Sequence, residues 1–178
     1  MRQRVCLGSW KNPIWLGGVF AGGLLLFAAT TTQAAGVLNI PTPTFSASSG
    51  ANDNVKSECE LPQKLSSFIK DNAKGSYDEV NVGDAPGGAG RTLKIEFTNV
   101  LGVGGGAWSG PKSVTIQGTL TEGDKVVGTF MGRRTSTGGA FGGFKGTCAI
   151  IGRCVKTLGS DVGNWLKSPS MDGKLGEM

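Results

Sequence analysis

Residues 147–167 constrain the fold most, because their apolar side chains recur at the spacing of one helical face. The stripe consists of Ile151, Val155, Leu158, Val162, Trp165 and the adjacent Leu166. Burying five or six such side chains contributes on the order of 10 kcal/mol, so the stripe requires a covering layer. Thr147 is predicted to cap the helix N-terminus, and Pro169 stops the helix.

Three glycines of this helix, Gly152, Gly159 and Gly163, fall on one side of it at the border of the apolar stripe. Each costs about 1 kcal/mol relative to alanine, which the buried stripe outweighs. We expect them to bring the helix close to a neighbouring sheet. The alternative is that they have no packing role.

Residues 1–34 have the layout of a secretory signal peptide: Arg2, Arg4 and Lys11, then an apolar run, then small residues ending at Ala34. Cleavage is predicted after Ala34, and an uncleaved anchor is the alternative. The leader carries three of the 18 Lys and Arg residues, so 15 cations remain against 13 acids. A net charge of +2 is weak evidence for a nucleic-acid partner, and none is expected.

The rest of the chain divides by composition into three segments. Residues 35–56 are rich in Pro, Ser and Thr and predict a flexible N-terminal arm. Residues 57–169 predict an α+β domain. Residues 170–178 predict a disordered tail.

Within that domain, residues 61–74 predict a short amphipathic helix that Gly75 ends. Residues 92–101 and 113–121 predict strands, because apolar residues alternate with polar ones. Residues 125–135 predict a third strand, because they are rich in Val, Phe and Thr. Gly123 and Asp124 suit a two-residue hairpin between the last two. Residues 77–82 predict a weak edge strand. The expected architecture is a two-layer sandwich, with an antiparallel sheet of three or four strands covered on one face by two helices.

Cys59, Cys148 and Cys154 remain after cleavage, in a chain sent to an oxidising compartment. Cys148 and Cys154 would be about 9 Å apart along a continuous helix, beyond the reach of a disulfide. Either Cys148 precedes the helix and folds back to Cys154, or one of the two pairs with Cys59. We favour Cys148–Cys154; three free buried thiols are the remaining possibility.

Two glycine-rich loops resemble nucleotide-binding motifs in composition. Residues 102–107 match the dinucleotide fingerprint in letters, but Trp108 and Pro111 continue the loop into a strand rather than a helix. We expect a wide turn there, with Trp108 covering one end of the core. The string GGFKGT, residues 142–147, contains Lys145 but does not match the order of a phosphate-binding loop. Arg133, Arg134 and Lys145 are candidate contacts for an anion, with solvated strand ends as the alternative.

The chain has no histidine, which excludes Ser-His-Asp and Cys-His catalysis and histidine zinc ligation. Acid–base chemistry by paired carboxylates stays open for Asp78, Glu79, Glu96 and Asp161, although their spacing selects no pair. We expect no enzymatic activity, no cofactor and no metal site.

Four strings of residues together resemble a family of small uncharacterised exported proteins of Gram-negative bacteria. They are Trp108–Lys112, Gly132–Thr135, Gly143–Cys148 and Leu158–Leu166. The resemblance covers roughly residues 59–169. It implies a bacterial envelope setting and a small α/β domain, and it assigns no site residues.

The expected function is that of a periplasmic or envelope protein that binds another envelope protein, or a peptide added to a sheet edge. One alternative is binding of anionic lipid or polysaccharide through Arg133, Arg134 and Lys145, which requires these charges on one exposed face. The other is a histidine-free hydrolase that uses paired carboxylates.

Overall fold

The computed structural model describes residues 36–84, 89–104, 106–139 and 144–178. These residues all belong to one compact unit, Gln33–Met178. The predicted signal peptide, residues 1–34, lies outside the described residues. Among those described, no helix combines the length and apolarity needed to cross a membrane.

The described residues form a mixed sheet of seven strands. In chain order the strands are β1 Val37–Pro41, β2 Thr44–Phe45, β3 Glu79–Gly83, β4 Arg91–Leu101, β5 Lys112–Glu122, β6 Lys125–Ser136 and β7 Gly173–Gly176. Their order across the sheet is β3-β1-β4-β5-β6-β7, and β2 also pairs with β4. The predicted meander β4-β5-β6 is confirmed as antiparallel, and its hairpin has Gly123 at φ 58°.

Three α-helices within the described residues accompany the sheet: α1 Asp53–Glu58, α2 Leu61–Ala73 and α3 Thr147–Trp165. The predicted stripe of α3 is confirmed, because Ile151, Val155, Leu158 and Val162 are fully buried. Its Trp165 ring packs edge-on against Phe130 of β6, with ring centroids 4.9 Å apart. The residue before the helix, Gly146, takes the N-cap position that was predicted for Thr147.

The prediction of three or four antiparallel strands is wrong, because β1, β2, β3 and β7 enlarge the sheet through parallel pairing. Residues 35–56 were predicted to be a flexible arm, but they contain β1, β2 and the start of α1. Leu38 and Ile40 of β1 are fully buried, and strands far along the chain supply the pairing partners of β1. A five-residue strand of this kind has too short a pattern to be visible locally.

The predicted disordered tail, residues 170–178, is also wrong. Its residues 173–176 form β7, which pairs in parallel with β6, and Leu175 packs against the core. The predicted edge strand at residues 77–82 is confirmed as β3 at one end of the sheet, although its partner is β1 rather than the meander.

The glycines of α3 pack against a helix rather than against the sheet. A Cβ at Gly159 would overlap Phe68 of α2, and a Cβ at Gly163 would overlap Asn72. Gly152 has open space around its Cβ position. Two of the three glycines therefore allow a close approach to a neighbouring element, as expected, but that element is α2 rather than the sheet.

This arrangement predicts opposite effects for the same substitution at two positions of one helix. Gly159→Ala should lower the free energy of unfolding by about 1–3 kcal/mol, because α2 must move to admit a methyl group. Gly152→Ala should raise it by up to about 1 kcal/mol through helix propensity alone. Urea denaturation of both variants measures the difference, and equal effects would show that α2 does not approach Gly159.

Candidate functional site

The disulfide joins Cys59 to Cys148, so the favoured pair Cys148–Cys154 is wrong. Cys148 lies inside α3, where Cys154 is out of reach along the helix axis, whereas the Cα atoms of Cys59 and Cys148 are 5.0 Å apart. The bond spans 89 residues and joins the C-terminus of α1, just before α2, to the first turn of α3. Closing a loop of that length contributes about 4–5 kcal/mol in the chain-entropy model.

Cys154 is a free, buried thiol in the middle of the core. Its Sγ lies 3.7 Å from the carbonyl oxygen of Lys112 and donates a weak hydrogen bond to it. Burial raises the pKa of Cys154 to about 11, so the thiol stays protonated near neutral pH. A protonated, inaccessible thiol is a poor nucleophile, which makes Cys154 a packing residue.

The three candidate anion contacts do not form one site. Arg134 makes two hydrogen bonds of 2.8 Å to the Asp161 carboxylate of α3, and these raise the pKa of Arg134 above its ordinary value. Arg133, the preceding residue of β6, is exposed on the other face of the sheet. Lys145 donates from Nζ to the carbonyl oxygen of Gly138 at 3.0 Å. Strand alternation thus separates the two arginines, as the sequence indicates.

The candidate acids are distributed in the same way. Asp161 is engaged by Arg134 beside α3. Glu96 accepts a hydrogen bond of 2.8 Å from Gln117 on the sheet face that the helices leave uncovered. Asp78 and Glu79 lie at the edge strand β3. Within the described part of the chain, no group of three or more metal-ligating side chains comes together.

A surface that the sequence did not predict lies where β4 ends and α3 begins. We call it the apolar end and define it by Leu101, Val103, Trp108 and Phe144. Trp108 is 85% exposed and Phe144 is 91% exposed, while Leu101 and Val103 are about half exposed. The expectation that Trp108 covers the core is therefore wrong.

Hydrogen bonds to one carbonyl oxygen assemble the apolar end. The oxygen of Val103 accepts from the Ser109 hydroxyl at 3.3 Å and from the Thr147 hydroxyl at 3.1 Å. Ser109 belongs to the 3-10 turn Gly106–Ser109, which carries Trp108, and Thr147 opens α3 three residues after Phe144. The two segments that carry the exposed rings are thereby attached to the same strand end.

A buried lysine holds this turn through hydrogen bonds. Lys112 is fully buried, and its Nζ donates to the Ser109 hydroxyl at 2.7 Å and to the Gly110 carbonyl oxygen at 3.0 Å. A buried ammonium group must be hydrogen-bonded to be tolerated, so Lys112 favours one conformation of the turn. The exposed Trp108 is therefore attached to an ordered support.

Close packing behind the apolar end requires a glycine. A Cβ at Gly102 would lie 2.7 Å from the Ile151 side chain and 2.8 Å from Val55 of α1. Asn52 then links α1 to this strand end, because its side chain accepts from the Val55 N–H and donates to the Gly102 carbonyl oxygen. The glycine at position 102 thus allows the strand end to pack closely against the helices, and the loop does not have the role of a nucleotide-binding loop.

Beside the apolar end lies an open cavity of about 330 Å³. Its walls include Asn52 and Glu58 from around α1, Gly104 of the loop, and both cysteines of the disulfide. Gly146 and Thr147 bring the N-terminus of α3 to the same wall. The disulfide therefore helps to shape the cavity as well as joining the helices.

No protein-family model and no curated protein matches this chain. Among solved structures, the chain is similar to a PelC variant, solved as a dodecamer, from Paraburkholderia phytofirmans. The identity is 15%, the match covers 71% of this chain and 85% of the other, and the TM-score is 0.44. A protein of the family DUF330 from Xanthomonas campestris, a Gram-negative bacterium, gives 12% identity, 75% and 86% coverage and a TM-score of 0.44. Likenesses at this level carry no argument about the function of this chain.

The two neighbouring arginines give a matched test of the ion pair. Arg134→Met should lower the free energy of unfolding by about 1–3 kcal/mol, because it leaves the largely buried Asp161 carboxylate without its partner. Arg133→Met should change it by about 0.5 kcal/mol or less. Chemical denaturation provides the measurement, and the double variant R134M/D161M should recover part of the loss. Equal effects of R133M and R134M would contradict the assignment.

Proposed function

We propose that the protein is an exported component of the cell envelope that binds another protein, and that the partner docks on the apolar end. The observation that carries this proposal is the near-complete exposure of Trp108 and Phe144 on loops anchored to the same strand end. Extensive exposed apolar surface marks interaction sites on proteins, and Trp is enriched among the residues that dominate interface energies.

The free energy gained by burying the two rings is large enough to contribute to docking. Burying the two rings would remove on the order of 300–400 Å² from water, which corresponds to roughly 8–10 kcal/mol before the cost of association. That cost is about 4–15 kcal/mol, so two rings alone support weak binding at most. Contacts with Leu101 and Val103, and with the adjacent cavity, would add to it. Ordered loop supports reduce the entropy lost on binding.

Two features support an exported setting. Residues 1–34 have the sequence layout of a signal peptide, and disulfides such as Cys59–Cys148 persist in oxidising compartments. Neither alternative function has an observation of its own in its favour. The charges required for anionic lipid or polysaccharide are divided between Arg133 and an Arg134 already paired with Asp161. For a hydrolase, Glu96 and Asp161 lie on opposite faces of the sheet.

A capture experiment with two matched double variants tests the proposal. Trp108→Ser with Phe144→Ser should reduce partner recovery from an envelope extract by about tenfold or more, because it removes the proposed anchors. Val126→Ser with Met131→Ser removes two exposed apolar side chains elsewhere and should leave recovery unchanged. Quantitative mass spectrometry of the captured proteins is the measurement.

Circular dichroism and denaturation should show that both double variants remain folded, since all four side chains are exposed. Equal recovery by the wild type and the W108S/F144S variant would contradict the proposal. Recovery of no protein above background would contradict it as well.

A further inference from the structure

We propose that the Cys59–Cys148 disulfide is a redox switch for the apolar end. A dithiol that enters the adjoining cavity reduces the bond, α1 detaches, and the apolar end loses part of its support. The inference rests on the proposed function, because it names a regulation of the same surface. The reduction and the detachment of α1 are nevertheless measured without the partner, so their outcome is separable from that of the docking proposal.

The disulfide is reached from solvent through Cys148. Both cysteines line the open cavity of about 330 Å³. Cys59 is fully buried, whereas Cys148 is only partly buried. Three glycines of the cavity wall, Gly102, Gly104 and Gly146, bring no side chains that would cover the bond. Exposed disulfides exchange more readily with thiols than buried ones, so the Cys148 sulfur is the one that an entering thiolate attacks.

Reduction proceeds by two exchanges. A thiolate of the dithiol bonds to the Cys148 sulfur, and the Cys59 sulfur leaves with the electron pair of the broken S–S bond and takes one proton. The second thiol of the dithiol loses its proton and bonds to the first, and the Cys148 sulfur leaves and takes that proton. The dithiol ends as a disulfide and both cysteines end as thiols, after transfer of two electrons and two protons.

The position of Cys148 in α3 favours the second exchange. Cys148 is the second residue of this helix, after Thr147, and the positive end of the helix dipole lies there. A thiolate is stabilised at such a helix N-terminus, which makes Cys148 a good leaving group. Cys154 takes no part, because it is buried in the core and out of reach along the helix axis.

The disulfide is also the covalent attachment of α1 to the rest of the apolar end. Of the six described residues of α1, Val55 alone is buried. Cys59 is the C-cap of the helix, and its N–H donates to the Val55 carbonyl oxygen at 3.3 Å. A six-residue helix does not persist by itself in water. Once the bond is broken, the burial of one side chain is too little to hold α1 in place.

α1 in turn supports the strand end from which the apolar end projects. Asn52, the N-cap of α1, donates to the Gly102 carbonyl oxygen at 3.1 Å. Val55 packs so closely against Gly102 that a Cβ there would lie 2.8 Å from its side chain. Gly102 lies between Leu101 and Val103, which belong to the apolar end. Detachment of α1 removes these contacts and loosens the apolar end.

Reduction under native conditions tests the chemical step. The protein purified from the cell envelope is treated with dithiothreitol, alkylated with iodoacetamide at intervals and mapped by mass spectrometry. Cys59 and Cys148 should be alkylated at a rate proportional to the dithiothreitol concentration, while Cys154 stays unmodified. Glutathione, a monothiol, should form its mixed disulfide on Cys148. A rate independent of dithiothreitol, or a glutathione adduct on Cys59, would overturn the inference.

Amide hydrogen exchange tests the detachment of α1. The amides of Lys56 and Cys59 donate within α1, to Asn52 and Val55. In the reduced protein they should exchange at least about tenfold faster than in the oxidised protein, through an opening that costs less free energy than global unfolding of the reduced protein. Unchanged protection of these two amides, or unfolding of the whole domain on reduction, would show that the bond is not a switch.

Capture of the envelope partner connects the switch to the docking surface. The reduced and alkylated protein should recover about threefold less partner than the oxidised protein, because a loosened surface loses more entropy on binding. Equal recovery by the two forms overturns the switch and leaves the docking proposal standing. Recovery of nothing by either form overturns the docking proposal, and with it the regulatory role of the bond.

Discussion

The burial of one face of α3 against the sheet and of a second face against α2 organises the described structure. Its apolar stripe covers β5 and β6, where Gly132 admits Leu158 and Gly128 admits Trp165. Gly159 and Gly163 meanwhile let α2 approach the other side of the helix. Close packing on both sides explains why a helix with three interior glycines is stable despite its low intrinsic propensity.

The position of α3 also determines where functional surface can form. Its first turn is held by the disulfide to Cys59 and by the hydrogen bond from Thr147 to Val103, so the apolar end and its cavity lie at that terminus. Further along, Asp161 holds Arg134, which removes one cation from the surface. Exposed aromatic rings therefore lie near the N-terminus of the helix that covers the core. The strand β3 is contacted by α2 instead.

Local sequence patterns predict the long helices and strands of this fold. Helix α3 and strands β4 to β6 each run for eleven residues or more, and their apolar spacing identifies them. Strands β1 and β7 have five and four residues, and partners distant in the chain stabilise them. The Cys59–Cys148 disulfide also joins residues that are distant in the chain, and a separation of 89 residues gives no local sequence signal for the pairing. Trp108 escaped prediction because a short turn has no periodicity from which its exposure follows.

Native-state hydrogen exchange of α3 tests the central claim most directly. If both faces of the helix are buried as described, the amides from Val155 to Val162 exchange only through global unfolding, with the free energy obtained from denaturation. In the turn Gly106–Ser109, the amides of the exposed residues Trp108 and Ser109 exchange much faster through local opening. Exchange of the α3 amides at the rate of that turn, independent of global stability, would contradict the account.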